Sequence, residues 1–130
     1  MMIHVLDTHP LVWHLEGNPR LSRIVQQILS APETQLVIPS IVLAEMWHLY
    51  HRKRIRTSPD EVRSRVLSAS NCLVYPLDEA VLELFPPDLD IHDAIIVATT
   101  RVYWEVLKQP VRLITCDRMI TESKLVQTVW

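Results

Sequence analysis

The chain has 130 residues, of which 48% are hydrophobic and 22% charged, and a net charge of −2. That length fits one domain with a real core, and the composition excludes a mostly disordered chain. No apolar run approaches the roughly 20 residues needed to cross a bilayer, the N-terminus lacks a basic segment and a cleavage site, and no global basic field marks a polyanion binder. A cytoplasmic protein is expected, in which any RNA or DNA would be held by a local basic patch.

In chain order, Met1 to Leu6 (MMIHVL) predicts a strand ending in the acid Asp7, followed by Thr8. His9 to Leu15 spaces Leu11, Val12 and Leu15 as one helical face, stopped by Gly17-Asn18-Pro19. Arg20 to Ala31 carries the stripe Leu21, Ile24, Val25, Ile28 and Leu29 and ends at Pro32, which predicts an amphipathic helix. Gln35 to Ile38 reads as a second strand. A helix with Ser40 as N-cap then runs to about Arg54, and another, from Ser58 to Ala69, opens with Pro at its first position and acids in its first turn. Cys72 to Leu77 predicts a third strand and Asp78 to Phe85 a short helix halted by Pro86-Pro87. Asp90 to about Lys108 reads as a long helix, Val111 to Thr115 as a fourth strand, Asp117 to Ser123 as a turn or short helix, and Leu125 to Val129 as a fifth strand. Short apolar strands alternating with helices predict an α/β domain: a mostly parallel sheet of four to five strands, apolar on both faces and covered by helices on each side. Functional groups in such sheets lie beyond the carboxyl ends of the strands. The cysteines, Cys72 and Cys116, sit in strand-like runs and predict buried reduced thiols rather than a disulfide.

Four acids stand out. Asp7 follows the first strand and equally suits a helix cap. Glu45 shares a helical face with Ile41, Val42 and Leu49, where a carboxylate needs a basic partner or a function. Asp93 heads the stripe Ile96, Val97 and Thr100; the bland alternative is that Asp90 caps this helix and Asp93 merely favours its macrodipole. Asp117 follows the fourth strand and again suits a cap. Delivered to one small volume, four carboxylates repel one another and call for a divalent cation. All-oxygen ligation suits Mg²⁺ or Mn²⁺ rather than Zn²⁺, an ion type found at phosphoryl-transfer sites. The spacing Glu45, His48, His51 drifts around its helix and lacks a partner motif for zinc.

These stretches, VLDTH, PSIVLAE, DIHDAIIVATT and LITCDRMI, in this order over nearly the whole chain, resemble the PIN-domain family of metal-dependent ribonucleases, and within it the VapC-type toxins of toxin–antitoxin pairs. The resemblance implies a PIN-like three-layer fold and an endoribonuclease using one or two Mg²⁺ or Mn²⁺ ions. It implies a metal site of Asp7, Glu45, Asp93 and Asp117, with Asp7 and Asp93 as chief ligands and Thr8 and Thr115 as supporting hydroxyls. An RNA substrate, a cognate antitoxin and a homodimer are implied too. The basic run at Arg52, Lys53 and Arg54, with Arg101 and Arg118, offers phosphate contacts, although a charge run at a helix end also serves as a solvated face. Trp13, Trp47 and Trp104 lie in helical apolar patterns that suit the core or a dimer interface more often than a base-stacking platform, and His9 and His92 neighbour site acids, where they could touch substrate. The alternative from another class is an inactive PIN-like RNA-binding or scaffold module whose acids only cap helices. An acidic-site phosphatase would want a second Asp two residues after the first, where His9 stands.

Overall fold

The computed structural model describes residues 2–130. Its centre is a five-stranded, wholly parallel sheet in the order β3-β2-β1-β4-β5. The strands are β1 (Ile3–Leu6), β2 (Gln35–Pro39), β3 (Cys72–Tyr75), β4 (Val111–Ile114) and β5 (Thr128–Val129); of the first predicted strand, Met1 lies outside the described residues. The chain builds outward from β1 through β2 to β3, then returns to the other side of β1 for β4 and β5. Strand order therefore reverses between β1 and β4, where an open parallel sheet leaves a crevice at its carboxyl edge.

Among the described residues seven α-helices cover the sheet: α1 (Thr8–Glu16), α2 (Arg23–Ser30), α3 (Ser40–His51), α4 (Pro59–Val62), α5 (Glu79–Glu83), α6 (Ile91–Arg101) and α7 (Arg118–Ser123). Helix α4 runs on into a π-helical turn at Arg63–Leu67, and α6 into another at Val102–Val106, so two helices predicted as continuous change their winding midway. From Ala94 to Thr100 every residue of α6 is buried, because the helix lies against the sheet on one side and against α5 on the other. Thr99 and Thr100 are accommodated there by donating their hydroxyls to the carbonyls of Ile95 and Ile96. The main core joins Val5, Leu6, Val37, Ile38, Leu113 and Ile114 of the central strands to Val25, Val42, Met46 and Ile96 of the helices.

Several expectations need correction. Ser40 is the first residue of α3, not its cap. Pro39 closes β2, pairing with Tyr75, and its fixed φ leads the chain directly into the helix. Helix α3 ends at His51 because Lys53 adopts a left-handed φ of 59°. Helix α2 starts only after Ser22, whose hydroxyl accepts from the Val25 N–H. Asp90 occupies the cap position of α6 without making a side-chain capping bond. The strands are not all apolar-buried: β3 is an edge strand with Leu73 52% exposed. Cys72 is half-buried and Cys116 exposed, both free.

The loop that carries the basic run is pinned at its end. Glu16 accepts hydrogen bonds from the backbone N–H groups of Arg56 and Thr57 and from the Thr57 hydroxyl, at 2.8–2.9 Å. Burial would raise the Glu16 pKa, but these donors and the Arg56 charge outweigh it and hold the carboxyl below its usual range. Glu16→Ala strands the polar groups of buried Thr57 and is expected to cost about 1–2 kcal/mol. A urea melt of wild type and variant measures it; an unchanged midpoint would show that the clamp contributes nothing.

Candidate metal and nucleic-acid site

Each of the four acids arrives by its own route. Asp7 is the residue after β1 and the N-cap of α1: one carboxylate oxygen accepts from the Thr8 N–H at 2.7 Å. Its other oxygen accepts from the Thr115 hydroxyl, also at 2.7 Å. That contact follows from register, since Leu6 pairs with Ile114 and the next residues on β1 and β4 are Asp7 and Thr115. The Thr115 hydroxyl in turn accepts from the Asp117 N–H at 3.0 Å. Asp117 caps α7 by accepting from the Ile120 N–H. Glu45 reaches the same place from α3, and the Thr8 hydroxyl donates to it at 2.7 Å. Asp93 comes from the first turn of α6. The two threonines thus stitch three of the acids into one network.

All four acids line one cavity of about 280 Å³, together with His9, Trp13, Arg20 and Cys116. A larger cavity, about 400 Å³, opens between the end of α6 and β5, lined by Trp104, Lys124 and Leu125 among others. Its one acid, Glu105, is already ion-paired to Arg101. Chemistry rather than size therefore selects the smaller cavity. From the sequence, Trp13 suits the core or a dimer interface over stacking, His9 is only a neighbour of Asp7 that could touch substrate, and Arg20 has no role; the signal was the spacing of His9 and Trp13, one helical turn apart behind Asp7. Arg20 joins them because Gly17, at a left-handed φ of 63°, turns the chain back over α1.

The electrostatics carry the mark of crowding. Desolvation raises the Asp93 pKa to about 6, and the charges of Asp117, Asp7, Asp90 and Glu45 add to it. Asp7, only 8% exposed, is also raised, first by burial and then by Glu45, in spite of its bonds to Thr115 and Thr8. Cys116 is pushed up by burial and by Asp7 and Asp117. Among the described residues, no Lys or Arg forms an ion pair with any of the four acids, so the basic partner weighed for Glu45 is not there. The other basic candidates lie off the cavity. Arg101 pairs with Glu105 and bonds the Leu84 carbonyl, Arg118 pairs with Glu122, and Arg52, Lys53 and Arg54 are exposed at the end of α3.

Both Asp93 oxygens lack a protein donor among the described residues, and Glu45 and Asp117 each spend only one oxygen on a protein hydrogen bond. Oxygen donors are thus left over on at least three acids. No three His, Cys, Asp or Glu side chains among the described residues close into a metal cage by themselves. That openness suits Mg²⁺, which dehydrates reluctantly and keeps several waters while binding through one or two carboxylates; the residues present fit such an ion.

Among the solved structures that share this fold are two matched over nearly the whole chain. One, described as a toxin–antitoxin complex from Klebsiella pneumoniae, is 20% identical, with a TM-score of 0.64 over 98% of this chain and 96% of that one. The other, VapBC2 from Rickettsia felis bound to a DNA fragment from their promoter, is 15% identical, with a TM-score of 0.64 over 99% of this chain and 98% of that one. No curated protein gives a significant sequence match. The sequence model of the PIN domain family matches residues 4–123, from β1 through α7. With nearly the whole sequence matched and the four-acid crevice in place, the chain belongs to the PIN domain family.

Proposed function

We propose that this chain is a divalent-metal-dependent endoribonuclease and the toxin of a toxin–antitoxin pair. The observation that carries the reading is a cavity at the sheet's switch point lined by four carboxylates with no ion-paired cation among them. Capping accounts for one oxygen of Asp7 and one of Asp117. It accounts for nothing about Glu45, in the middle of α3, or about Asp93, whose oxygens meet no donor, and so the inactive-module reading leaves half the cluster unexplained. Family membership supports nuclease chemistry, and the two structures of like fold, each matched over a whole chain of a toxin–antitoxin assembly, support an antitoxin as partner.

In this reading Asp7 and Asp93 are the chief ligands of one or two Mg²⁺ or Mn²⁺ ions, with Glu45 and Asp117 completing the site directly or through water. The bound ion would supply a water of lowered pKa and neutralise charge on the phosphodiester oxygens. The chain's own residues do the positioning. Thr115 fixes the plane of the Asp7 carboxylate, Thr8 holds Glu45 toward it, and the unbonded carboxylate oxygens orient the attacking water. Burial, and after it the neighbouring carboxylates, raise both Asp7 and Asp93, and a bound cation would offset that penalty. The chemistry needs no 2′-hydroxyl, so a preference for RNA must lie in binding. The protein is further proposed to act as a single domain in the cytoplasm, as a homodimer held silent by its antitoxin.

Purified protein, freed of any antitoxin, is expected to cut single-stranded RNA with Mg²⁺ or Mn²⁺ and to stop when the metal is chelated. Absence of cleavage with every divalent metal would replace this reading with the binding-module one. Neutralising Arg52, Lys53 and Arg54 together to Gln is expected to weaken RNA binding several-fold and to flatten its salt dependence by about 0.7 in log–log slope per lost phosphate contact. Identical salt slopes for the two proteins would remove the basic run from the interface.

A further inference from the structure

Half of the cavity wall is not acidic. His9 and Trp13 stand one turn apart on α1 and face the cavity, their ring centroids 5.7 Å apart. Trp130 meets Trp13 edge-on at 5.8 Å, and the indole is half-buried. The Arg20 guanidinium lies 5.8 Å from the centroid of the same ring. Arg20 forms no ion pair with a described acid, although four carboxylates line the cavity it borders. A cation that spends its charge on an aromatic ring, beside unneutralised acids, remains available to an incoming anion.

A nucleotide has two chemically distinct ends, an anionic phosphate and a flat base. The cavity lining offers both chemistries, carboxylates that suit a metal-held phosphate and an indole with a guanidinium. At about 280 Å³ it lies near the lower limit of small-ligand pockets, roughly 300 Å³, which fits a single flat ring and its sugar and excludes a folded element. Proteins that take single-stranded RNA stack splayed bases on Trp, Tyr, Phe and His rings and on Arg guanidinium planes. Stacking is sequence-tolerant, since every base has a π face.

We propose that Trp13, framed by His9 and Arg20, is the stacking subsite for the unpaired base of the nucleotide next to the phosphodiester held over the four acids. This rests on the ribonuclease reading. Arg20 swings off the ring to the adjoining phosphate as the base arrives. Paired RNA is then a poor ligand, because its bases are not free to enter.

The test compares a uridylate decamer with an abasic ribose-phosphate decamer of the same length, by fluorescence anisotropy in Mg²⁺, on full-length protein carrying Asp93→Asn so that neither probe is cut. The uridylate decamer is expected to bind roughly tenfold tighter, as one stacked base would give. Adding Trp13→Leu is expected to bring the two probes within about twofold of each other, and Trp13→Phe, which keeps a ring against Trp130, to retain most of the preference. Arg20→Ala, at an exposed position, is expected to keep the preference and reduce the salt slope for both probes by about 0.7. Should Trp13→Leu fail to fold, the Phe and Arg20 variants decide: loss of the preference in Trp13→Phe, or an unmoved salt slope in Arg20→Ala, overturns the proposal. A full base preference in folded Trp13→Leu overturns it outright, and would leave the aromatic wall to a protein partner. The two readings fail separately. Wild type that cuts no RNA while Trp13→Leu still abolishes the base preference sinks the nuclease and keeps the stacking site. Wild type that cuts RNA, with Trp13→Leu leaving KM and cut positions unchanged, sinks the stacking site alone.

Discussion

Asp93→Asn is expected to abolish RNA cleavage and, in the absence of metal, to make the protein more stable at neutral pH. The loss of activity should exceed about a hundredfold, the scale on which preorganised electrostatic groups act when one is removed. The gain in stability follows from the same crowding that makes the site useful. In the folded chain Asp93 titrates near 6 instead of its ordinary 3.8, so folding takes up a proton as pH falls through that window. The stability owed to this group is fully present below about pH 4 and is lost as pH rises through 6; above 6 the folded state bears the whole penalty. Two pH units correspond to roughly 3 kcal/mol before screening, and because the side chain keeps solvent contact about 1 kcal/mol is the realistic share. Asn carries no such penalty. Its melting temperature at pH 7.5 should lie about 4 °C above wild type, and the two should converge below pH 4. Adding Mg²⁺ should raise the wild-type melting temperature and leave the variant nearly unmoved, by mass action on the folded state alone. Parallel melting curves at every pH would show that Asp93 is not under strain from its neighbours.

Thr115→Val is expected to be the most damaging change of comparable size. Thr115 is 1% exposed, and its hydroxyl donates to Asp7 while accepting from the Asp117 N–H. Valine keeps the shape and removes both interactions at once, leaving a buried carboxylate oxygen and a backbone donor unpaired. Each costs about 1–3 kcal/mol, so a loss of about 2–4 kcal/mol is expected, together with a fall of at least about tenfold in cleavage as Asp7 loses its fixed plane. Thr115→Ser restores the hydroxyl without the methyl and should recover most of both. Chemical denaturation read alongside cleavage rates separates the two effects. A valine variant as stable as wild type would show that the hydroxyl is dispensable.

The acids were legible in the sequence because each breaks a local rule that the surrounding residues obey. Glu45 interrupts an apolar helix face, Asp93 heads a largely buried helix, Asp7 directly follows β1, and Asp117 comes three residues after β4. What periodicity could not give was their meeting. The convergence depends on β4 returning to pair with β1 rather than extending the sheet beyond β3, a choice made by long-range packing that no local spacing encodes. The aromatic side of the cavity was the less favoured reading for a related reason. Trp13 occupies a helical apolar position as a core residue would, and only the fold-back at Gly17 and the approach of Trp130 from the end of the chain show that its ring faces a cavity. Helix ends were misjudged where backbone geometry overrode side-chain preference. Pro39 makes a cap at Ser40 unnecessary, and the left-handed turn at Lys53 stops α3 before its basic run.

The pairing of β1 with β4 also sets an order of events. Asp7 and Thr115 are 108 positions apart, and α6 and β4 are the last large pieces to join the central core. During synthesis the ribosome releases Asp7 and Glu45 long before the partners that position them, and contacts of such separation are slow to form because the loop-closure entropy must be met first. A nascent chain that stops short of β4 has no Thr115 to orient Asp7 and lacks Cys116 and Asp117 of the cavity lining. Proposed as a nuclease that attacks RNA, the protein thus completes its cutting edge only once the segment 108 positions beyond Asp7 has been made.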